Sequence, residues 1–274
     1  RPASWWLMTA GERCMPGDAK CPRRAPWRNA SIEMASVFRS VRGFLPSSML
    51  DWPGKICSVV FLGGCNFRCP YCHNPELVEE RENGECLPWQ EVLSFLEQRI
   101  GWIDGVAITG GEPCIQLDLP LMCAELRDLG FAVKIDTNGS RPQTLRSLLQ
   151  GGILDAVAMD LKTSLSRYPQ VTRRPVDPEA IRASAEAIIQ SGVEHEFRCT
   201  VVPGLVGRED LEELASMIRG AQSLVLQQFR SQHTLDPGYA GVPGFPDEVL
   251  TRWAEELSEH VPTRVRGLVG MPAS

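Results

Sequence analysis

The chain contains no apolar run approaching the roughly 20 residues that a membrane-spanning helix needs, and its N-terminus has no apolar stretch of the signal-peptide kind. Lys and Arg never cluster among aromatics, and the formal net charge is −6, so nothing suits tracking a phosphate backbone. A cytoplasmic protein is expected, with neither a membrane nor a nucleic acid among its partners. Histidine is scarce, and His195, His233 and His260 stand alone in the sequence, which suits surface or capping positions rather than ligation. Cysteine is plentiful, with ten in 274 residues. That number would staple a short secreted protein, but in a cytosolic chain of this length it points to metal binding, catalysis or plain burial. Spacing has to decide between them.

Residues 1–33 hold Trp5, Trp6, Pro16, Pro22 and Pro26, with neither helical nor strand periodicity. They are expected to be unstructured or a non-native extension, since Met34 offers a plausible start; residues 34–274 are expected to form a single domain. From Ile56 onward, β-rich runs alternate with amphipathic helices. The runs fall at 56–61, 105–109, 131–135, 156–159, 196–202 and 223–228. A helix face follows Pro88, with Trp89, Val92, Leu93, Leu96 and Ile100 at helical spacing. Another helix opens at Asp177-Pro178 and stops at Gly192, and a third stops at Gly220. A last helix follows Pro246. Six strand–helix units imply an α/β fold with a parallel sheet and right-handed crossovers, doubly wound or barrel-like. Of these we expect a partial, TIM-like (βα)6 barrel with parallel strands. Both architectures place sites at the C-terminal ends of the strands.

The loop after the first of these runs reads Gly63-Gly64-Cys65-Asn66-Phe67-Arg68-Cys69-Pro70-Tyr71-Cys72-His73-Asn74-Pro75. Three thiols within eight residues can wrap one face of an iron–sulfur cube, leaving one iron without a protein ligand and open to substrate or cofactor. A structural zinc site would need four closed ligands; His73 is adjacent to Cys72 and sterically awkward for the same ion, and Cys57, Cys86 and Cys114 form no second close pair in sequence. Cys57, Cys86, Cys114, Cys123 and Cys199 read as small buried hydrophobes.

The spacing Cys-x-x-x-Cys-x-aromatic-Cys, with Tyr71 as the aromatic, resembles the radical S-adenosylmethionine superfamily. The resemblance implies one [4Fe-4S] cluster on Cys65, Cys69 and Cys72, with S-adenosyl-L-methionine bound at the fourth iron. One electron from the reduced cluster then gives methionine and a 5′-deoxyadenosyl radical that abstracts hydrogen. It also implies that Gly110, Gly111, Glu112 and Pro113, after the second run, contact the methionyl ammonium group. Asp136-Thr137-Asn138-Gly139 and Asp160-Leu161-Lys162 resemble the glycyl-radical activase branch, where such segments line the cofactor pocket. By that resemblance Asp136, Thr137 and Asp160 sit near the cofactor's polar end and Lys162 pairs with its carboxylate. Read from the residues alone, 137–139 is equally an Asn-Gly turn, and Arg198 is either a carboxylate clamp or the partner of Glu196 in a salt bridge. Gln227, Gln228 and Phe229 close the sixth run and are placed by position alone on the substrate side.

The segments 50–55 and 72–78 further resemble the longer anaerobic ribonucleoside-triphosphate reductase activating proteins. This resemblance implies a glycyl-radical enzyme as partner, in first place that reductase, and an electron donor such as flavodoxin or ferredoxin. Activation of another glycyl-radical enzyme of the pyruvate formate-lyase type, or radical chemistry on a small molecule, uses the same cofactor residues. A non-catalytic iron–sulfur or zinc protein would leave 110–113 and 160–162 without a purpose.

Overall fold

The structure is a computed structural model, and it describes residues 40–78 and 86–268. The expectation for 1–33 lies outside them. Eight strands form one sheet in sequence order: β1 (Val41–Ser48), β2 (Cys57–Leu62), β3 (Gly105–Gly110), β4 (Ala132–Thr137), β5 (Ala156–Asp160), β6 (Glu194–Val201), β7 (Leu224–Gln228) and β8 (Thr263–Arg266). The helices are α1 (Pro75–Val78), α2 (Trp89–Glu97), α3 (Leu119–Asp128), α4 (Pro142–Gln150), α5 (Tyr168–Thr172), α6 (Pro178–Ser191), α7 (Arg208–Met217) and α8 (Asp247–Leu257). Strands β2 to β8 run parallel and β1 pairs antiparallel with β2. No ladder joins β1 to β8 among the described residues, so the barrel is partial.

The six expected strands are all present, and two more flank them. β1 carries Gly43 and Pro46 and has two register irregularities, which is why strand periodicity does not show there. β8, Thr-Arg-Val-Arg, has a single apolar residue. Helix α6 begins and ends where its signals put it: Asp177 accepts from the Glu179 N–H, and Gly192 takes the left-handed conformation at φ 72°. Helix α7 instead ends at Met217, and Gly220 turns the chain afterwards at φ 94°.

The sheet has two unlike faces. Its outer face packs the helices in one large core that includes Leu62, Ile108, Ile135, Met159 and Phe197. Its inner face carries the small residues Gly105, Ala107, Ala132, Ala156 and Ala158 of β3, β4 and β5, with Gly105 opposite Ala132 and Lys134 between Ala107 and Ala156. Small side chains leave room in the lumen, and at its lower end Trp52 takes that room. The Trp52 ring is fully buried against Cys57, Val59, Ala107 and Ala156, and its Nε1 donates to Glu194 at 3.1 Å. A Cβ on Gly105 would stand 2.9 Å from that ring and 2.7 Å from the Ala132 carbonyl oxygen. The lumen is thus sealed from the N-terminal side of the strands, and space for chemistry remains only at their C-terminal ends.

Replacing Trp52 by Ala removes this plug, and a loss of about 3–5 kcal/mol in urea-unfolding free energy is expected. Trp52→Phe keeps one aromatic ring, loses the rest of the indole and the hydrogen bond to Glu194, and should cost less, about 1–3 kcal/mol.

Candidate functional site

At the C-terminal ends of the strands a cavity of about 270 Å³ opens. Cys65, Cys69, Tyr71 and Cys72 line it from the β2 loop, and Gly110, Gly111 and Glu112 from β3. Asp136 and Thr137 come from β4, Asp160 and Lys162 from β5, Arg198 and Thr200 from β6, and Gln227 from β7. Thirteen sequence-derived positions therefore meet in one space, joined by Thr200. Pro113 is not among them: it is buried as the first residue of a one-turn 3-10 helix, where its ring starts the turn. Gln228 points away from the cavity and donates to the Phe245 carbonyl at 2.6 Å.

The cysteine loop is held by its backbone from three sides. Gly64 N–H donates to Leu77 O and Cys65 N–H to Val78 O in α1. Arg68 N–H donates to Thr172 O at the end of α5, while Leu235 and Asp236 donate to Cys72 O and Pro70 O. The root of the loop touches β3, where Gly111 N–H donates to Leu62 O and Glu112 N–H to Gly64 O, each at 2.8 Å. A Cβ on Gly111 would overlap the Gly64 carbonyl, and one on Gly110, at φ 120°, would overlap the Leu62 backbone. Both glycines are required by this approach.

Glu112 has no solvent exposure. Its carboxylate accepts from Cys114 N–H at 2.9 Å, Thr137 Oγ1–H at 2.7 Å and Asn138 N–H at 2.6 Å. Burial pushes its pKa up, and those three donors pull against the shift. Its carboxylate braces the β3 turn to the β4 turn. Asn138 then donates to Asn66 Oδ1, and Asn66 donates to Ser140 Oγ at 2.8 Å. Asn66 and Asn138 tie the cysteine loop to the β4 turn; the sequence singled out the segment holding Asn138 but not Asn66, for which an asparagine between two ligand candidates was the available signal.

Beside the thiols lies a girdle of charge. Arg198 donates from Nε to Asp160 Oδ1 at 2.7 Å and from Nη1 to Asp136 Oδ2 at 3.1 Å. Lys162 Nζ stands 3.2 Å from Asp160 Oδ2, and Lys134 Nζ 3.0 Å from Asp136 Oδ1. Glu196 is 4.0 Å from Arg198 and is paired more closely with Arg264, so Arg198 is chiefly a partner of the two aspartates. Burial opposes ionisation of both aspartates, yet the cations, Arg198 foremost, hold their carboxyls below the usual range.

The site implies a metal–sulfur group and an organic cofactor, and the residues fit both. Burial raises the thiol pKa values, to about 11 for Cys65 and about 12 for Cys69, with Cys72 also raised. Such thiols stay protonated until a metal displaces the proton. Among the described residues no three His, Cys, Asp or Glu side chains converge on a single-ion position. Ligands to three separate irons need not converge in that way. The Tyr71 hydroxyl, buried on the cavity wall, has no hydrogen-bond partner, an unmet need for an acceptor from a bound molecule. Of the histidines, His195 is an interior residue, with Nδ1 2.8 Å from Val193 O and Nε2 accepting from Gln222 N–H. Cys86 is exposed, whereas Cys57, Cys114, Cys123 and Cys199 are buried as expected.

Two outcomes follow. Gly111→Ala keeps all three thiols but must displace the loop root, so iron incorporated on anaerobic reconstitution should fall severalfold. The second concerns acid. Because the folded-state pKa values of Asp136 and Asp160 are depressed, their contribution to stability is complete above about pH 5 and is lost as pH falls below the ordinary aspartate value. Asp160→Asn should accordingly flatten the acid limb of a stability-versus-pH curve.

The radical SAM superfamily model matches residues 59–219. A Methanocaldococcus jannaschii protein bearing the provisional name glycyl-radical enzyme activating enzyme is 32% identical over 208 residues, covering 74% of this chain and 85% of its own. The pyruvate formate-lyase-activating enzyme of Clostridium pasteurianum is 29% identical, covering 68% and 79%. Among solved structures, QueE from Escherichia coli aligns with a TM-score of 0.52 at 17% identity, over 83% of this chain and 93% of that one. Streptococcus suis SuiB bound to precursor peptide SuiA gives 0.59 at 16%, over 76% and 48%. On its cysteine loop, its strand-end cavity and this match, the chain belongs to the radical SAM superfamily.

Proposed function

We propose that this chain is a glycyl-radical enzyme activase that binds its cluster through Cys65, Cys69 and Cys72. The observation that carries this reading is the convergence of that loop, the Gly110–Glu112 turn and the Asp136–Asp160–Lys162–Arg198 girdle on one cavity, together with two relatives bearing activase names. When bound, the reduced cluster supplies the electron that splits S-adenosyl-L-methionine into methionine and a hydrogen-abstracting 5′-deoxyadenosyl radical.

The chain's own residues bind, orient and exclude water. Lys162 offers a cation to the cofactor's carboxylate, and Asp160 offers the opposite charge to its ammonium group, alongside backbone from Gly110 and Gly111. Arg198 locks Asp160 and Asp136 in place with two directed N–H bonds, a geometry a lysine cannot reproduce. Phe67 and Tyr71, both nearly buried, keep water from the thiol side. Thr200 and Gln227 stand on the far wall, the side on which a glycine-bearing segment would enter. A sheet left unclosed between β1 and β8 among the described residues suits a segment of a large partner.

Anaerobic ribonucleoside-triphosphate reductase is the proposed partner, on the resemblance of segments 50–55 and 72–78. The name of the Clostridium pasteurianum relative supports pyruvate formate-lyase-type enzymes as a second reading. Electron paramagnetic resonance of reduced, reconstituted protein with S-adenosyl-L-methionine and the reductase should show a glycyl doublet that is absent with Cys69→Ala. Formation of 5′-deoxyadenosine without the doublet would retain radical chemistry and reject the reductase. Lys162→Ala should leave iron content unchanged and weaken S-adenosyl-L-methionine binding about tenfold or more, as expected for loss of one charge-assisted contact; unchanged affinity would remove Lys162 from the site.

A further inference from the structure

The surface around the cysteine loop differs in charge from the rest of the molecule. The chain as a whole carries −6. Residues 63–75, 137–154 and 161–176 nevertheless contain no Asp or Glu, and together they hold Arg68, Arg141, Arg146, Lys162, Arg167, Arg173 and Arg174. These three segments leave the C-terminal ends of β2, β4 and β5.

The fold gathers them. Asn66, next to Cys65, donates to Ser140 Oγ at 2.8 Å, which brings Arg141 beside the loop. Arg68 N–H donates to Thr172 O at 2.8 Å, and Thr172 Oγ1 donates to Arg174 O at 3.2 Å, which brings Arg173 and Arg174 against the same stretch. Some of this charge is spent internally. Lys162 faces the cavity and pairs with Asp160, Arg167 pairs with Asp210, and Arg173 with Asp236. Arg141 and Arg174 are exposed and form no ion pair among the described residues. The nearest following acids, Asp177 and Glu179, sit at the start of α6, where Glu179 is 3.6 Å from Arg182.

We infer that the surface carrying Arg141 and Arg174 is the docking site of an acidic one-electron carrier protein that reduces the cluster. This rests on the proposed radical function, which consumes one electron per cleavage at the thiol loop. Electron transfer slows steeply with distance, so the donor must dock where the cysteine loop meets solvent, and on this side of the loop Asn66 and Arg68 are partly exposed. An acidic carrier is repelled by an acidic enzyme everywhere except at a basic face, so this face both steers the encounter and sets its orientation. Such encounters are small and salt-sensitive, which two or three exposed arginines suit. A glycine-bearing substrate segment has different needs: it must reach the lumen wall at Thr200 and Gln227, not the backbone side of Asn66 to Arg68.

The test uses the reconstituted full chain and an Arg141→Glu/Arg174→Glu double variant, with an acidic flavodoxin as probe. Two quantities are read: the affinity for oxidised flavodoxin at low salt, and 5′-deoxyadenosine formation driven either by reduced flavodoxin or by dithionite. Flavodoxin affinity and flavodoxin-driven turnover should each fall about tenfold or more in the variant and lose their salt dependence, as removal of a steering patch does. Dithionite-driven turnover should stay within about twofold, since neither arginine touches the cavity. Unchanged flavodoxin affinity in the variant overturns the inference. Absence of dithionite-driven turnover in the wild type would reject the radical function instead, and the affinity measurement would still decide whether the arginines form the carrier's site.

Discussion

The contact on which the site depends is the approach of two backbones. At the ends of β2 and β3 the chain at Gly110-Gly111 lies so close to Leu62 and Gly64 that no side chain fits between them. Two 2.8 Å backbone hydrogen bonds hold them there. This fixes the start of the cysteine loop relative to the sheet, and with it the direction in which three thiols leave the barrel rim. Glu112 follows immediately and extends the same constraint sideways, because its carboxylate is filled by donors from the β3 and β4 turns. A buried carboxylate with all its partners in place is rigid, and with a partner missing it is costly. The turn is therefore firm because its charge is satisfied.

The second element is the contrast between the two faces of the sheet. The outer face is an ordinary apolar layer under helices. The inner face pairs small residues low in the lumen with a balanced set of charges above them: Asp136, Asp160 and Glu196 against Lys134, Lys162 and Arg198. Buried ion pairs seldom add net stability, because desolvation offsets the attraction. Their value here is geometric. Arg198 spans β6 to β4 through β5, so three strand ends hold fixed positions around a space that a zwitterionic cofactor headgroup can enter.

Much of this could be read in the sequence, and the reasons are physical. Strands β2 to β7 are short apolar runs separated by helices with proline or acidic starts, and both signals are local. The cysteine spacing is local too, as are Gly110-Gly111 and Asp160-Leu161-Lys162, each placed directly after a strand. What stayed hidden depends on contacts distant in sequence. β1 and β8 are edge strands whose register comes from their neighbours and not from alternation. Trp52 becomes a plug only because Gly105 and Ala156 leave it room. His195 is interior because Gln222 comes to meet it, and Glu112 is a brace because Thr137 and Asn138 arrive from the next strand. Arg198 faced a choice of partners that only the register of β5 against β6, with Asp160 opposite Arg198, could decide.

The most direct test of the account is the low-temperature electron paramagnetic resonance spectrum of the reduced, reconstituted chain, recorded before and after addition of S-adenosyl-L-methionine and paired with iron analysis. The account predicts the iron complement of one [4Fe-4S] cluster per chain and a clear change of the cluster's g-values when the cofactor is added, because the proposed ligation by three cysteines would leave one iron without a protein ligand and open to the cofactor. A chain that takes up a single zinc ion instead of iron, or a cluster whose spectrum ignores the cofactor, would contradict it.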